Sequence, residues 1–195
     1  GLVQGLMLNY SLEAIRYKKD CSGALFWMYD DCWGEVGWTI IDYYLKRKLS
    51  YYFVKRAFAP VKLIMREQNG MIRVMGINDT GKEISFDAEY GYVSFDGTNK
   101  TAHSTGITLK PYSREIVLEF EKGDYDFKRG TCYVRANRED ILSAILRVGE
   151  YKNLDIPKAK PQITGFWLDG NDIKLTVSSD VYAHAVHFNL DDDIR

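Results

Sequence analysis

Between Val61 and Val148 a series of turn dipeptides cuts the chain into short β-rich runs, and this pattern constrains the fold more than any other feature. Val61–Arg66 and Met71–Ile77 are two such runs, separated by Gln68-Asn69-Gly70. Asn and Gly reach positive φ at low cost, as a two-residue hairpin turn requires, so the two runs are predicted to pair antiparallel. Asn78-Asp79-Thr80-Gly81 and Asp96-Gly97 mark further turns. Between them lies a longer strand, Glu83–Phe95, predicted to bend at Gly91. Thr101–Leu109, Arg114–Glu121, Cys132–Asn137 and Ile141–Val148 complete the series. Many short strands at this spacing hide their apolar sides by packing two sheets face to face, an all-β sandwich.

Before Pro60 the texture differs. Val3–Lys19 has apolar residues at helical spacing (Val3, Met7, Tyr10, Ala14, Tyr17), and Lys18 and Lys19 fall in its last turn, where cations suit the helix dipole. Asp20–Gly23 is a turn. Ala24–Tyr29 is an apolar run too short for a helix and is predicted to be a buried strand. Asp30–Thr39 is a loop. Lys46–Phe58, with Leu49, Tyr52, Phe53 and Arg56 at helical spacing, is a second helix that ends before Pro60. Helix, strand and helix in this order fit one repeat of an α/β barrel. After the sandwich, Tyr151–Pro161 holds two of the four prolines and three lysines and reads as a linker. Ile163–Leu168, Ile173–Ser178 and Ala183–Leu190 are predicted as three more strands, which alone would leave open edges before the chain stops at Asp191–Arg195.

Composition excludes several classes of partner. The net charge is −1, which provides no bulk attraction for nucleic acid or an anionic membrane. No run of eighteen apolar residues exists to span a bilayer. Cys21, Cys32 and Cys132 are odd in number and widely spaced, without a C-x-x-C pair, so free, partly buried thiols are expected and no zinc site. A Cys21–Cys32 bridge would have to span the whole predicted strand. His184 and His187 stand three apart in a predicted strand and so face opposite sides, which does not make a metal pair. His103 carries no motif. Lys46-Arg47-Lys48 reads as a solvated helix start. The sequence contains no Ser/His/Asp set and no phosphate-binding glycine loop, and no metal or organic cofactor is implied.

Three of the four tryptophans, Trp27, Trp33 and Trp38, fall within a dozen residues. The stretch reads Trp27-Met28-Tyr29-Asp30-Asp31-Cys32-Trp33-Gly34, then Gly37-Trp38, Ile41-Asp42-Tyr43-Tyr44 and Arg56-Ala57-Phe58-Ala59-Pro60-Val61. In this order it resembles the β-mannosidases of glycoside hydrolase family 2, with their Trp-Gln-x-Asn-Asp-x-Trp-Pro, Ser-Trp, Ile-Asp-Tyr-Tyr and Arg-Ala-Phe-Ala-Pro-Val. Further on, Ile77-Asn78-Asp79-Thr80 and Phe95-Asp96-Gly97 resemble turns of the family's immunoglobulin-like domain. The resemblance implies a C-terminal fragment. Residues 1–59 would be the last segment of a (β/α)8 barrel, 60–150 an immunoglobulin-like β-sandwich, 151–162 a linker and 163–195 the start of a second sandwich or added strands. It implies a retaining hydrolase of terminal non-reducing β-D-mannosides, and the rest of the barrel as the fragment's partner. It also implies an inactive chain, because no position here matches either catalytic glutamate of the family. Without its neighbours, the Trp27 strand is expected to re-pack, pair with another copy or lose order.

Substrate-binding residues follow from the same resemblance. Trp27, at a strand end facing the barrel mouth, would stack its indole on the C–H face of the terminal sugar; spacing alone favours core packing for it. Asp31 matches the family's Asp, and Trp33 would edge an outer subsite, although loop packing suits Trp33 and Trp38 better. Adjacent carboxylates at Asp30 and Asp31 point to opposite faces and cannot flank one glycosidic bond. One is expected to cap loop amides and the other, like Glu35, to be solvated. Met28 replaces the family's Gln, and Gly34 its Pro. Losing the amide beside the stacking Trp weakens the case for strict mannose recognition, and an exo-β-glucosaminidase of the same family is the alternative within the enzyme class. A free-standing carbohydrate-binding or interaction module is the alternative outside it, but such a module has no need of a helix–strand–helix before its sandwich.

Overall fold

The computed structural model describes all residues except 19, 36, 147, 171 and 189–195. Two helices come first, α1 (Leu2–Arg16) and α2 (Leu49–Ala57). Among the described residues nine strands follow: β1 (Val61–Gln68), β2 (Met71–Asn78), β3 (Ile84–Ser94), β4 (Lys100–Leu109), β5 (Ser113–Glu121), β6 (Gly130–Ala136), β7 (Ala144–Leu146), β8 (Gln162–Asp169) and β9 (Asp172–Ser178). The fold is mainly β, an immunoglobulin-like sandwich preceded by helical segments.

One sheet has the order β1-β2-β5 and the other β4-β3-β6-β7, with every ladder antiparallel. The β1–β2 hairpin turns where Asn-Gly placed it, with Asn69 at φ 53° and Gly70 at φ 79°. Alternation then sorts the side chains. Leu63 and Met65 of β1 and Ile72 and Val74 of β2 point inward to Phe86, Ile107, Leu109, Cys132 and Val134 of the opposite sheet. Gly76 sits on the same inner face, where any Cβ would strike Leu109 and Val117, so glycine lets the sheets close there. Strand β3 runs through Gly91 without a break in register, and the Gly91 backbone passes so close to the Thr101 carbonyl that a side chain has no room. The last strand is shorter than the predicted Ile141–Val148, because the segment changes sheets. Leu142 bridges Lys62 of the first sheet, and residues 144–146 then pair with β6 of the second.

The outward-facing residues of β1 and β2 are covered by α1. Lys62 pairs with Glu13 at 3.0 Å, Tyr17 packs on Ile64, Met75 and Ile77, and Arg66 lies 4.5 Å over the Tyr10 ring. Leu12 of α1 packs with Val54 and Ala57 of α2 and with Ile40 and Ile41. Arg16 fastens this assembly. Its guanidinium donates to the carbonyls of Ala57 (2.5 Å) and Ala59 (2.9 Å) and to Asp79 (2.6 Å), so the helices and the sandwich share one buried cation.

Several local expectations are corrected. Ala24–Tyr29 is not a buried strand: no ladder pairs it, Leu25 is fully exposed, and only Asp30 bridges, to Ile41. Among the described residues no strand pairs with it along its length, and only Ala24 and Phe26 pack, partly buried, against the helices. Helix α1 ends at Arg16, so Lys18 lies beyond its last turn, and Lys19 is outside the described residues. Helix α2 begins at Leu49 rather than Lys46, because Lys46–Lys48 form a tight return: the Lys46 amide donates to the Asp42 carboxylate at 2.8 Å and the Lys48 amide to the Ile40 carbonyl at 2.9 Å. The strand expected over Ala183–Leu190 is absent from 183–188, which turn at His184 and Ala185, so the strand argument about His184 and His187 does not apply. Asn189, Leu190 and the terminal Asp191–Arg195 are outside the described residues.

The hairpin β8–β9 is joined to the sandwich through the stretch that follows it. The Tyr182 amide donates to the Phe95 carbonyl at 2.7 Å, and the two rings lie 5.0 Å apart. Phe95 belongs to the Asp-Gly turn, which is built around the Asp96 carboxylate. Oδ1 accepts from the Ser94 hydroxyl (2.6 Å), the Thr98 hydroxyl (2.8 Å) and the Thr98 amide (3.0 Å). These bonds, the Ser94 hydroxyl first, pull the Asp96 pKa down to about 2. A depressed carboxylate contributes stability that is complete above its unfolded pKa and lost as pH falls through its folded one. Stability is therefore expected to decline between about pH 4 and pH 2, and Asp96→Asn to flatten that decline. Urea titrations of both proteins across that range check it; parallel pH profiles would contradict it.

Candidate functional site

The tryptophan-rich segment is held by its base, and its rings face solvent. At the base, the amides of Ile40 and Ile41 both donate to the Tyr29 carbonyl (3.2 and 3.0 Å), and the Asp31 amide donates to the Ile41 carbonyl (3.1 Å). Ile40 and Ile41 are buried against α1 and α2, so the apolar half of Thr39-Ile40-Ile41 anchors the polar half. The Gln4 side-chain amide, from α1, donates to the carbonyls of Trp38 (2.5 Å) and Thr39 (3.3 Å).

Above that base the aromatic side chains are open. Trp27 is 80% exposed, Trp33 73% and Trp38 77%, with Tyr29, Tyr43 and Tyr44 exposed beside them in the sequence. Trp27 is therefore not core, and Trp33 and Trp38 are not loop packing, which corrects both structural expectations. Indole rings carry a large apolar area and a polar N–H, and several of them exposed on one segment mark a place where something binds or packs. The Trp27–Met28 peptide bond is cis.

Asp30 and Asp31 part company as alternation requires: Asp30 is exposed and Asp31 buried. Asp31 does not cap loop amides, and it does not present its carboxylate to solvent as a sugar-binding group in this chain. Its Oδ2 accepts from the Lys48 ammonium at 2.8 Å, with the Asp31 side chain 1% exposed. Lys48 also donates to the Thr39 hydroxyl at 2.5 Å. The bonds from Lys48 and Thr39 hold the Asp31 carboxyl below the usual carboxylate range, so it stays ionised at neutral pH. Lys48 is thus a buried-pair partner rather than part of a solvated helix start. Glu35 is exposed, as expected.

The other carboxylate of this loop, Glu35, has its Oε1 3.6 Å from the point where a Cβ at Gly37 would stand, as against 2.7 Å for Asp31 Oδ1, but Glu35 is exposed while Asp31 is buried and tied to Lys48, so the two do not open together on one bond as an acid/base pair. Among the described residues no group of three or more His, Cys, Asp or Glu gathers to hold a metal. The three cysteines are free; Cys132 is fully buried, and burial pushes its thiol up to about 12, which leaves it neutral and unreactive. His103 rests on Tyr90 with ring centroids 5.4 Å apart. A shallow cavity of about 580 Å³ opens between Phe127, Val148 and Leu154, but its Lys128 and Lys152 are already paired, with Asp155 and Glu150. Sequence reasoning missed Lys48, Thr39 and Gln4. No motif marks them, because each acts through a partner nine or more residues away.

No family model matches the chain. Among curated proteins, a β-mannosidase B of Thermothelomyces thermophilus is 54% identical over 133 residues, 64% of this chain and 14% of that protein. A β-mannosidase B of Aspergillus niger is 40% identical over 52 residues, 27% of this chain and 6% of that protein. Among solved structures, β-D-mannosidase of Dictyoglomus thermophilum aligns with a TM-score of 0.81 and 32% identity, over 92% of this chain and 23% of that one. The exo-chitosanase CsxA of Amycolatopsis orientalis aligns over 92% of this chain and 26% of that one, with a TM-score of 0.62, and at 15% identity it shows a shared fold only. The chain thus spans about a quarter or less of each relative. In sequence and in backbone, it matches a segment of the glycoside hydrolase family 2 β-mannosidases.

Proposed function

We propose that this chain is the C-terminal part of a retaining exo-β-glycosidase that hydrolyses terminal non-reducing β-D-mannosides. The observation that carries the reading is the backbone match to a β-mannosidase over 92% of the chain at 32% identity. In this reading residues 1–59 close a (β/α)8 barrel, 60–150 brace it, 151–162 link, and 163–195 begin a further sandwich. Trp27 and Trp33 form an aromatic wall for the sugar, and the upstream barrel supplies the catalytic glutamates. The wide exposure of Trp27, Trp33 and Trp38 supports this, since in a complete barrel those rings would border the mouth. The likeness to the exo-chitosanase lies at 15% identity, so mannoside is favoured over glucosaminide despite Met28.

The experiment takes two forms of the protein, this chain and the full product of the reading frame that encodes it, with an aryl β-mannoside as substrate. The full product is expected to turn over and the chain alone to stay at the level of the blank. Turnover by the purified chain would overturn the proposal that the catalytic groups lie upstream, and a reading frame with no upstream barrel would overturn it in favour of a binding module.

A further inference from the structure

We propose that Lys48 is a positioning residue for the aromatic wall: from the N-cap of α2 it ties down both ends of the 32–38 loop and so fixes where Trp33 and Trp38 stand. The inference rests on the reading of that loop as sugar-binding surface.

Four observations carry it. First, the two residues that flank the loop, Asp31 and Thr39, both bond to a single atom, Lys48 Nζ, at 2.8 and 2.5 Å. Second, Lys48 holds the same base through its backbone, since its amide donates to the Ile40 carbonyl at 2.9 Å. Third, the loop folds directly over the buried pair. A Cβ at Gly37 would stand 2.7 Å from Asp31 Oδ1, and that oxygen has no hydrogen-bond partner among the described residues. Fourth, Trp33 and Trp38 are too exposed for core packing to fix them, so their position is inherited from the loop's ends. A cation on the helix thus holds a carboxylate and a hydroxyl, and these hold a loop that presents rings to a substrate. Lys48 itself need never touch sugar. Small displacements in such a chain of supports reach the reacting geometry, where an error of about 1 Å costs up to about a hundredfold in rate.

A merely structural ion pair would give some of the same symptoms, and the test separates the two. Lys48→Met strands the Asp31 carboxylate, whereas the double variant Lys48→Met with Asp31→Leu replaces the pair by apolar groups, which commonly restores stability. In the full protein, Lys48→Met is expected to raise KM for β-mannotriose about tenfold, with a smaller change in kcat. The double variant is expected to recover Tm but not KM. In this chain labelled with 5-fluorotryptophan, the ¹⁹F lines of Trp33 and Trp38 are expected to shift and sharpen in both variants, while that of Trp167 stays. Recovery of KM together with Tm, or unchanged Trp33 and Trp38 lines in Lys48→Met, would overturn the proposal. Should Lys48→Met unfold, Thr39→Val removes one of the two acceptors while keeping the charge pair, and the same lines decide. If the wild-type full protein releases no mannose, the functional reading fails, and the ¹⁹F result still decides the role of Lys48.

Discussion

Replacing Arg16 by methionine is expected to destabilise the chain by about 3 kcal/mol and to release α1 and α2 before the sandwich melts. Methionine keeps most of the apolar stem but removes every donor. The carbonyls of Ala57 and Ala59 then lose their bonds from Arg16 at the end of α2, and Asp79 loses its cation. Burial already lowers the pKa of Arg16, which means the site charges a desolvation cost that the Asp79 carboxylate and the two carbonyls offset. Removing the guanidinium alone leaves those partners uncompensated. Scanning calorimetry with exchange on the amides of α2 checks this. A single transition at the wild-type temperature would show that Arg16 does not join the two parts.

Asn78→Ala is expected to cost about 3 kcal/mol as well, by a different route. Asn78 is fully buried at the end of β2. Its amide nitrogen donates to the carbonyls of Lys82 (2.7 Å), Lys110 (3.0 Å) and Leu109 (3.3 Å). Its Oδ1 accepts from the Thr80 amide (3.0 Å) and the Thr80 hydroxyl (2.7 Å). One side chain therefore satisfies backbone groups of the Thr80–Lys82 turn and of the end of β4. Asn78→Asp keeps the acceptor but adds a charge facing carbonyls, so it is expected to fare no better than alanine. Chemical denaturation of the three proteins gives the order, and an alanine variant within about 0.5 kcal/mol of wild type would contradict it.

These two residues show where the sequence was legible and where it was not. The turn Asn78-Asp79-Thr80 was readable as a turn, because Asn and Asp favour local hydrogen bonding. That Asn78 also reaches Leu109 and Lys110, more than thirty residues on, was not, because such contacts depend on how β4 and β5 return. The strands were legible for a related reason: period-two alternation and turn chemistry are local, and both agree with the final registers, as at Asn69-Gly70. No local pattern in the sequence marks Arg16. Its role appears only when the end of α2 and the Asp79 turn converge on it.

The failure at Ala24–Tyr29 has a physical cause. Ala24–Tyr29 has the composition of a buried strand, yet Leu25 and Trp27 lie open. Burial needs a neighbour, and composition reports only the capacity for it. Strands β8 and β9 form where the sequence placed them, but with little cover. One face of that hairpin carries the cross-strand pairs Ile163 with Val177, Phe166 with Leu175 and Leu168 with Ile173, and most of these side chains are exposed. At the candidate site the tryptophans announced themselves, while the supports Lys48 and Thr39 did not. Stacking residues are recognisable by type, whereas a lysine that positions a loop is recognisable only by its partners.

The most direct measurement is the product of the full protein acting on a terminal β-mannoside, followed by ¹H NMR from the first seconds. The account predicts mannose released from the non-reducing end and appearing first as the β-anomer, as a covalent glycosyl-enzyme requires. Release of glucosamine but not mannose, first appearance of the α-anomer, or no sugar released at all would contradict it.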